Sequence, residues 1–279
     1  MAVRRGQDSP ALERSWLPLP WGRLNVWRSG EGPAIVALHG LGGSGRYWTG
    51  LAPLLGSGRT LLSPDLAGFG QSDKPALRYD REFHLANLDS LIASHVSGAP
   101  VGLVGHSVGG VLAALWAARY PERTAALGLV SSPYPRRGIV PPPALRIAQS
   151  PPDDRRSSVA IGVFRTVWPV VHLAARATRR FPPDVIRDYG RQSIGARADT
   201  MWTLLGDLSI EKDLEGLRDL SPSVPILLLS AADDRHAGDA IQAKWRRLLP
   251  TAEVTIVPSG GHQFLIRNGF EPLADWINR

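Results

Sequence analysis

Gly105-His106-Ser107-Val108-Gly109 is a G-x-S-x-G stretch set between the apolar run Val101–Val104 and a helical pattern from Val108 to Arg119. Glycine on either side of a serine permits a sharp strand-to-helix turn that lifts the hydroxyl out of a sheet. The same turn aims the Val108 N–H, at a helix N-terminus, toward developing negative charge. A serine becomes a nucleophile only when a nearby base takes its proton. Seven histidines are available. His84, His95 and His172 lie in helical stretches, where packing or exposure explains them. His39 and His106 flank glycine turns, and His236 follows an acidic pair. His262, in Gly260-Gly261-His262, ends a strand pattern and precedes the last helix. That puts it at the sheet edge where Ser107 also lies, which makes it the expected base. A carboxylate to orient the imidazole is offered by Asp233 and Asp234, after the apolar run Val224–Leu229. One would serve as the acid and the other as a turn or cap residue. After Ala125–Val130 the sequence reads Ser131-Ser132, with no carboxylate.

A second glycine cluster invites a different chemistry. Gly40-Leu41-Gly42-Gly43-Ser44-Gly45 follows the buried run Ala34–Leu38, and Asp65 lies after the next strand. That matches the G-x-G-x-x-G fingerprint of a dinucleotide site, which would make the chain an NAD-dependent oxidoreductase. A strand–glycine loop–helix can equally present backbone N–H groups to an oxyanion. His39, directly before the first glycine, and the complete serine chemistry downstream favour the second reading.

These residues need a sheet to bring them together. Short apolar runs alternate with helical patterns: strands at Trp21–Arg28, Ala34–Leu38, Thr60–Ser63, Val101–Val104 and Ala125–Val130, with helices at Trp48–Leu55, Glu82–Val96 and Val108–Arg119. This is the pattern of a parallel sheet with crossover helices. Residues 133–152 then hold seven prolines, and the stretch to about Glu215 is Arg-rich and helical in character. Alternation resumes with Val224–Leu229, a helix at Asp239–Leu249, the strand Glu253–Val257 and one closing helix to Arg279. The expectation is one α/β core, residues 1–132 and 216–279, interrupted by a helical insertion over 133–215. Phe164, Trp168, His172, Met201 and Trp202 of the insertion could line a pocket or fill its own core. His106, Trp168 and Trp202 are the candidate substrate-pocket residues.

Composition narrows the partners. The chain has 279 residues, 43% hydrophobic, with no cysteine, so thiolate nucleophiles, disulfides and Cys-ligated metals are excluded. Its net charge is +7, carried by 29 Arg and only 3 Lys, in pairs such as Arg246-Arg247 rather than the runs of a nucleic-acid tail. No nucleic-acid partner is expected, and a small-molecule substrate, anionic or hydrophobic, is. Residues 133–215 alone hold 13 Lys and Arg against 9 Asp and Glu, a surplus of four positive charges. From Ser90 to Ala118 no residue is formally charged. Its glycines, Pro100, His106 and Ser107 suit a buried strand, turn and helix better than a membrane span. With no apolar leader in residues 1–19, a cytoplasmic protein is expected.

Ser107, Asp234 and His262, in that order, with His39-Gly40 and the segment Asp65, Gly68, Gly70, Ser72, resemble the α/β-hydrolase superfamily over nearly the whole chain. The resemblance implies a mostly parallel, doubly wound α/β sheet with a helical cap inserted after the sixth strand. It implies that Leu41 and Val108 donate the oxyanion-hole N–H groups, that Asp65 is structural, and that no metal or cofactor is needed. The family register selects Asp234 over Asp233, although Ala231 stands where glycine is usual and Gly238 where proline is common. The implied activity is Ser-His-Asp hydrolysis of a carboxylic ester, lactone or thioester through an acyl-enzyme. The same triad on similar folds also performs carbon–carbon bond hydrolysis, perhydrolysis and lyase chemistry, and a ligand-binding protein could keep a vestigial triad. Similar dehalogenases and epoxide hydrolases use an aspartate nucleophile, which Ser107 argues against.

Overall fold

The computed structural model describes residues 12–135 and 183–279. Eight strands form one sheet in the order β1-β2-β4-β3-β5-β6-β7-β8. These are β1 Glu13–Leu19, β2 Gly22–Ser29, β3 Ala34–Leu38, β4 Thr60–Pro64, β5 Val101–His106, β6 Thr124–Val130, β7 Ile226–Ala231 and β8 Glu253–Val257. β2 runs antiparallel to both β1 and β4, and every other pairing is parallel. The central strands are apolar throughout because both faces are covered. Along β3, Val36 and Leu38 enter one core while Ile35 and Ala37 enter the other.

Helices α2 (Arg81–His95), α3 (Val108–Arg119) and α7 (Asp239–Leu248) contribute to the first core. The short α1 (Ala52–Leu55), α8 (Phe264–Asn268) and α9 (Glu271–Ile277) contribute to the second. α3 carries no polar face: Val108 through Ala117 are all buried, as a helix enclosed by sheet and neighbours requires. The expected doubly wound sheet is present.

The elements differ from expectation in three places. β1 was not anticipated. It is an edge strand whose first four residues are exposed, so its sequence lacks an apolar signal, and it is recognised only through its register on β2. The single closing helix is two, broken at Gly269, whose φ of 101° no helix accommodates. The stretch around Trp48–Leu55 is a 3₁₀ turn, Gly45–Trp48, followed by only one turn of α-helix.

Of the expected insertion, residues 133–135 and 183–215 are described. Residues 183–215 form α4 (Pro183–Tyr189), α5 (Ile194–Met201), a π-helical turn at Trp202–Gly206 and α6 (Ile210–Leu214). Phe164, Trp168 and His172 lie outside the described residues. Ile210 and Leu214 are fully buried in the first core, so this end of the segment is part of the main body. Higher up, Ser193 N–H donates to the Gly68 carbonyl (2.7 Å), the Asp199 carboxylate accepts from Tyr79 N–H (3.0 Å), and His84 hydrogen-bonds Thr200 (2.8 Å).

Candidate active site

Ser107 sits between β5 and α3 with φ 55° and ψ −124°, a conformation costly for a residue with a Cβ. The turn is possible because its flanks are bare. A Cβ on Gly105 would run into the Gly109 backbone, and one on Gly109 into the carbonyls of Leu38 and His39. The tight crossing of β5, β3 and α3 therefore sets the direction of the Ser107 hydroxyl.

His262 lies beyond β8 in the 3₁₀ turn Gly261–Gln263, and Asp234 beyond β7. Ser107 Oγ is 2.9 Å from His262 Nε2, and His262 Nδ1 is 3.1 Å from Asp234 Oδ2. Three parallel-strand ends thus bring together the three residues expected from the sequence. Burial alone would raise the Asp234 carboxyl, but hydrogen bonding to His262 leads the opposing effects, with Ser131, the His262 charge and the His236 N–H adding to it. The carboxyl comes down to about 2. Asp234 is therefore ionised at neutral pH and accepts from Nδ1–H, which leaves Nε2 as the acceptor for the serine proton.

Asp233 does a different job. Its carboxylate accepts from Gly261 N–H (2.7 Å) and Gly260 N–H (3.3 Å), and these bonds hold its pKa below the ordinary range. It pins the glycine turn that carries His262. The two acids left open by the residue pattern are separated by geometry: one touches the imidazole, the other its backbone.

His106 is buried, its ring stacked on Tyr47 (4.7 Å between centroids), and its Nε2–H donates to the His262 carbonyl (2.7 Å). Burial lowers its pKa to about 3, so the ring is neutral. The ring therefore backs the histidine loop instead of facing a substrate space. Trp202 is 37% exposed at the start of the π turn, and no ring or polar contact ties it to Ser107 or His262. Trp168 lies outside the described residues. His236, ambiguous in sequence, packs edge-on against His262 (4.8 Å), and its N–H donates to Asp234 Oδ1 (2.8 Å).

The glycine loop is positioned by its neighbours. Leu66 N–H donates to His39 Nε2 (2.9 Å), so the proton of His39 is on Nδ1 and bonds the Gly40 carbonyl (2.8 Å). Burial takes this histidine down to about 4, which keeps it neutral, and the two hydrogen bonds fix the tautomer. A Cβ on Gly40 would stand 3.0 Å from Ser107 Cβ, so the loop passes directly beside the hydroxyl-bearing residue. The first-turn N–H of Val108 has no intrahelical acceptor, and among the described residues the Leu41 N–H has none either. Asp65 accepts from Gly45 N–H and Gln71 N–H, each at 2.6 Å. The amide that a pyrophosphate would need is thus already bonded, and the loop leads into a 3₁₀ turn instead of a long helix. These contacts oppose the dinucleotide reading.

Asp188 was missed in sequence. It lies in α4, is buried, and meets Ser44 Oγ (2.8 Å) and Arg46 Nε (3.2 Å) at the far end of the glycine loop. No local pattern marks it, since its partners on the glycine loop are more than 140 residues away.

Comparison with known proteins agrees with this architecture. An uncharacterized protein of Mycobacterium tuberculosis is 31% identical over 182 residues, 64% of this chain and 49% of that protein, so the match spans about half of that relative's length. The 2-(acetamidomethylene)succinate hydrolase of Mesorhizobium japonicum is 26% identical over 246 residues, 86% of this chain and 84% of that enzyme. The solved thioesterase domain from the curacin biosynthetic pathway shares the fold with a TM-score of 0.74 at 22% identity, covering 96% of this chain and all of that one. A family model described as alpha/beta hydrolase fold matches residues 33–268. The chain belongs to the alpha/beta hydrolase fold family.

Proposed function

We propose that this chain is a serine hydrolase that cleaves a carboxylic ester, lactone or thioester through an acyl-enzyme. The observation that carries the reading is the continuous hydrogen-bond path from Ser107 Oγ through His262 to an ionised Asp234. Ser107 Oγ attacks the carbonyl carbon as its proton passes to His262 Nε2. The carbonyl oxygen becomes an oxyanion held by the Leu41 and Val108 N–H groups, each contributing roughly 3–4 kcal/mol to transition-state stabilisation. Collapse returns the proton from Nε2 to the leaving alkoxide or thiolate and leaves Ser107 acylated. Water, deprotonated by the same nitrogen, then releases the acid. Asp234 keeps the imidazole in the productive tautomer and stabilises its charged form.

The test is turnover of a p-nitrophenyl ester by wild type and Ser107→Ala. Loss of turnover in a variant with the wild-type melting curve is expected. Turnover at the wild-type rate would overturn the mechanism.

A further inference from the structure

α4 and α5 bring Tyr189 and Arg197 over Gly42, two residues beyond the Gly40 that abuts Ser107. Gly42 has φ 79°, and a Cβ there would strike the Tyr189 ring and lie 3.1 Å from Arg197 Nη1. The Arg197 guanidinium carbon is 5.3 Å from the centre of the Tyr189 ring, and Nη1 donates to Gln192 Oε1 at 3.2 Å. Both partners are neutral, so the cation is held in place without being neutralised.

Among the described residues no carboxylate pairs with Arg197. Asp188, in the same helix as Tyr189, is engaged by Arg46 at 3.2 Å and Arg191 at 3.7 Å. Asp199 accepts from Tyr79 N–H. Arg197 is only partly buried, so N–H groups not used by Gln192 can meet an incoming anion. Arg197 and Ser107 abut the same glycine loop, at Gly42 and Gly40. Gly40 and Gly42 are two Cα steps apart, at most about 7.6 Å, and Leu41 lies between them.

We propose that Arg197 is an anion subsite of the active site, which recognises a carboxylate carried on the substrate within a few bonds of the scissile carbonyl. The planar fork of a single arginine matches the two oxygens of a carboxylate. Stacking on Tyr189 fixes its plane before substrate arrives, and Gln192 takes up one N–H while the others remain. The subsite rests on the serine-hydrolase reading above, and it makes the preferred substrates half-esters or similarly anionic esters.

The experiment compares matched pairs of esters that differ by one charge: monomethyl against dimethyl glutarate, and 4-acetoxybutyrate against its methyl ester. Wild type should favour the anionic member of at least one pair by kcat/KM. Arg197→Gln should reduce that anionic-to-neutral ratio about 10- to 100-fold, as loss of a charged hydrogen-bond pair does, and Arg197→Lys should restore part of it. A purely structural arginine would lower both members together and leave the ratio alone, which would overturn the subsite. So would a wild type with no anionic preference. Calorimetric titration with glutarate separates this claim from the catalytic one. If wild type cleaves none of the four esters, the p-nitrophenyl ester test decides the hydrolase reading separately, and glutarate binding decides the subsite. Glutarate binding weakened tenfold or more in Arg197→Gln still upholds the subsite, whereas equal affinity or no binding overturns it.

Discussion

Asp233 and Asp234 are neighbours of one residue type, and their roles differ because one carboxylate turns inward. Asp234 Oδ1 takes backbone N–H groups from His236 and Ala237, which fixes the side chain so that both oxygens lie 3.1–3.2 Å from His262 Nδ1. Asp233, on the surface, reaches only the backbone of the histidine turn. Asp234→Asn should therefore lower kcat on the order of 10⁴-fold by allowing the wrong imidazole tautomer. Asp233→Asn keeps one acceptor oxygen for the turn and should cost far less. Steady-state kinetics on one activated ester checks both, and a larger loss in Asp233→Asn would reverse the assignment. At this scale the sequence was informative wherever chemistry needs a residue type next to a glycine. Ser107 and His262 were legible for that reason. The choice between two adjacent acids was not legible from the pattern alone, because it depends on which way the chain turns after β7.

Among the elements, three strand ends present the triad residues and α4 braces the glycine loop. Asp188 is the brace: its side chain is 1% exposed, and it joins Ser44 and Arg46 on the loop side to Arg191 on its own side. Removing one partner of a buried ion pair leaves the other charged and desolvated. Asp188→Asn should thus cost about 3 kcal/mol of unfolding free energy in urea titration. A change below about 0.5 kcal/mol would mean that α4 is held by other contacts. The parallel strands were legible because each is an unbroken apolar run bounded by turns. β1 was not, since Trp16 at 36% exposure and its polar neighbours bury little, and Arg14 and Arg23 lie over the Trp16 ring at the surface. Asp188 was equally invisible, because its meaning comes from contacts that only the folded chain creates.

Across the whole molecule, no helix among the described residues is long and apolar enough to cross a membrane, and the part of the uncharged stretch from Val101 to Ala117 is buried as β5, the turn and α3. The fold buries three histidines besides His262, namely His39, His84 and His106. Burial lowers His39 and His84 to about 4 and His106 to about 3, against 6.5 in an open chain. As pH falls below 6.5 the unfolded chain takes up protons that the folded one refuses, so acidification favours unfolding. Asp65 works the other way: burial raises it to about 6, so the folded chain gains a proton there between pH 6 and 4. The net uptake on unfolding in that window is about two protons, a slope approaching roughly 3 kcal/mol per pH unit. Below about pH 4 Asp234, depressed to about 2, adds to the loss as the unfolded carboxylate protonates first. Urea titrations from pH 7 to 4 should show this steep fall. A flat profile would mean that the buried imidazoles are protonated in the folded state.

The surplus positive charge of residues 133–215 acquires a specific candidate at this scale, since Arg197 reaches the glycine loop at Gly42. Everything nonetheless depends on Ser107 being a nucleophile activated by His262. Treatment of the folded protein with a fluorophosphonate, followed by intact and peptide mass spectrometry, tests that most directly. One phosphonyl adduct on Ser107 is predicted, with labelling at least a hundredfold slower in His262→Ala. Label on another residue, or none on folded wild type, would contradict the account.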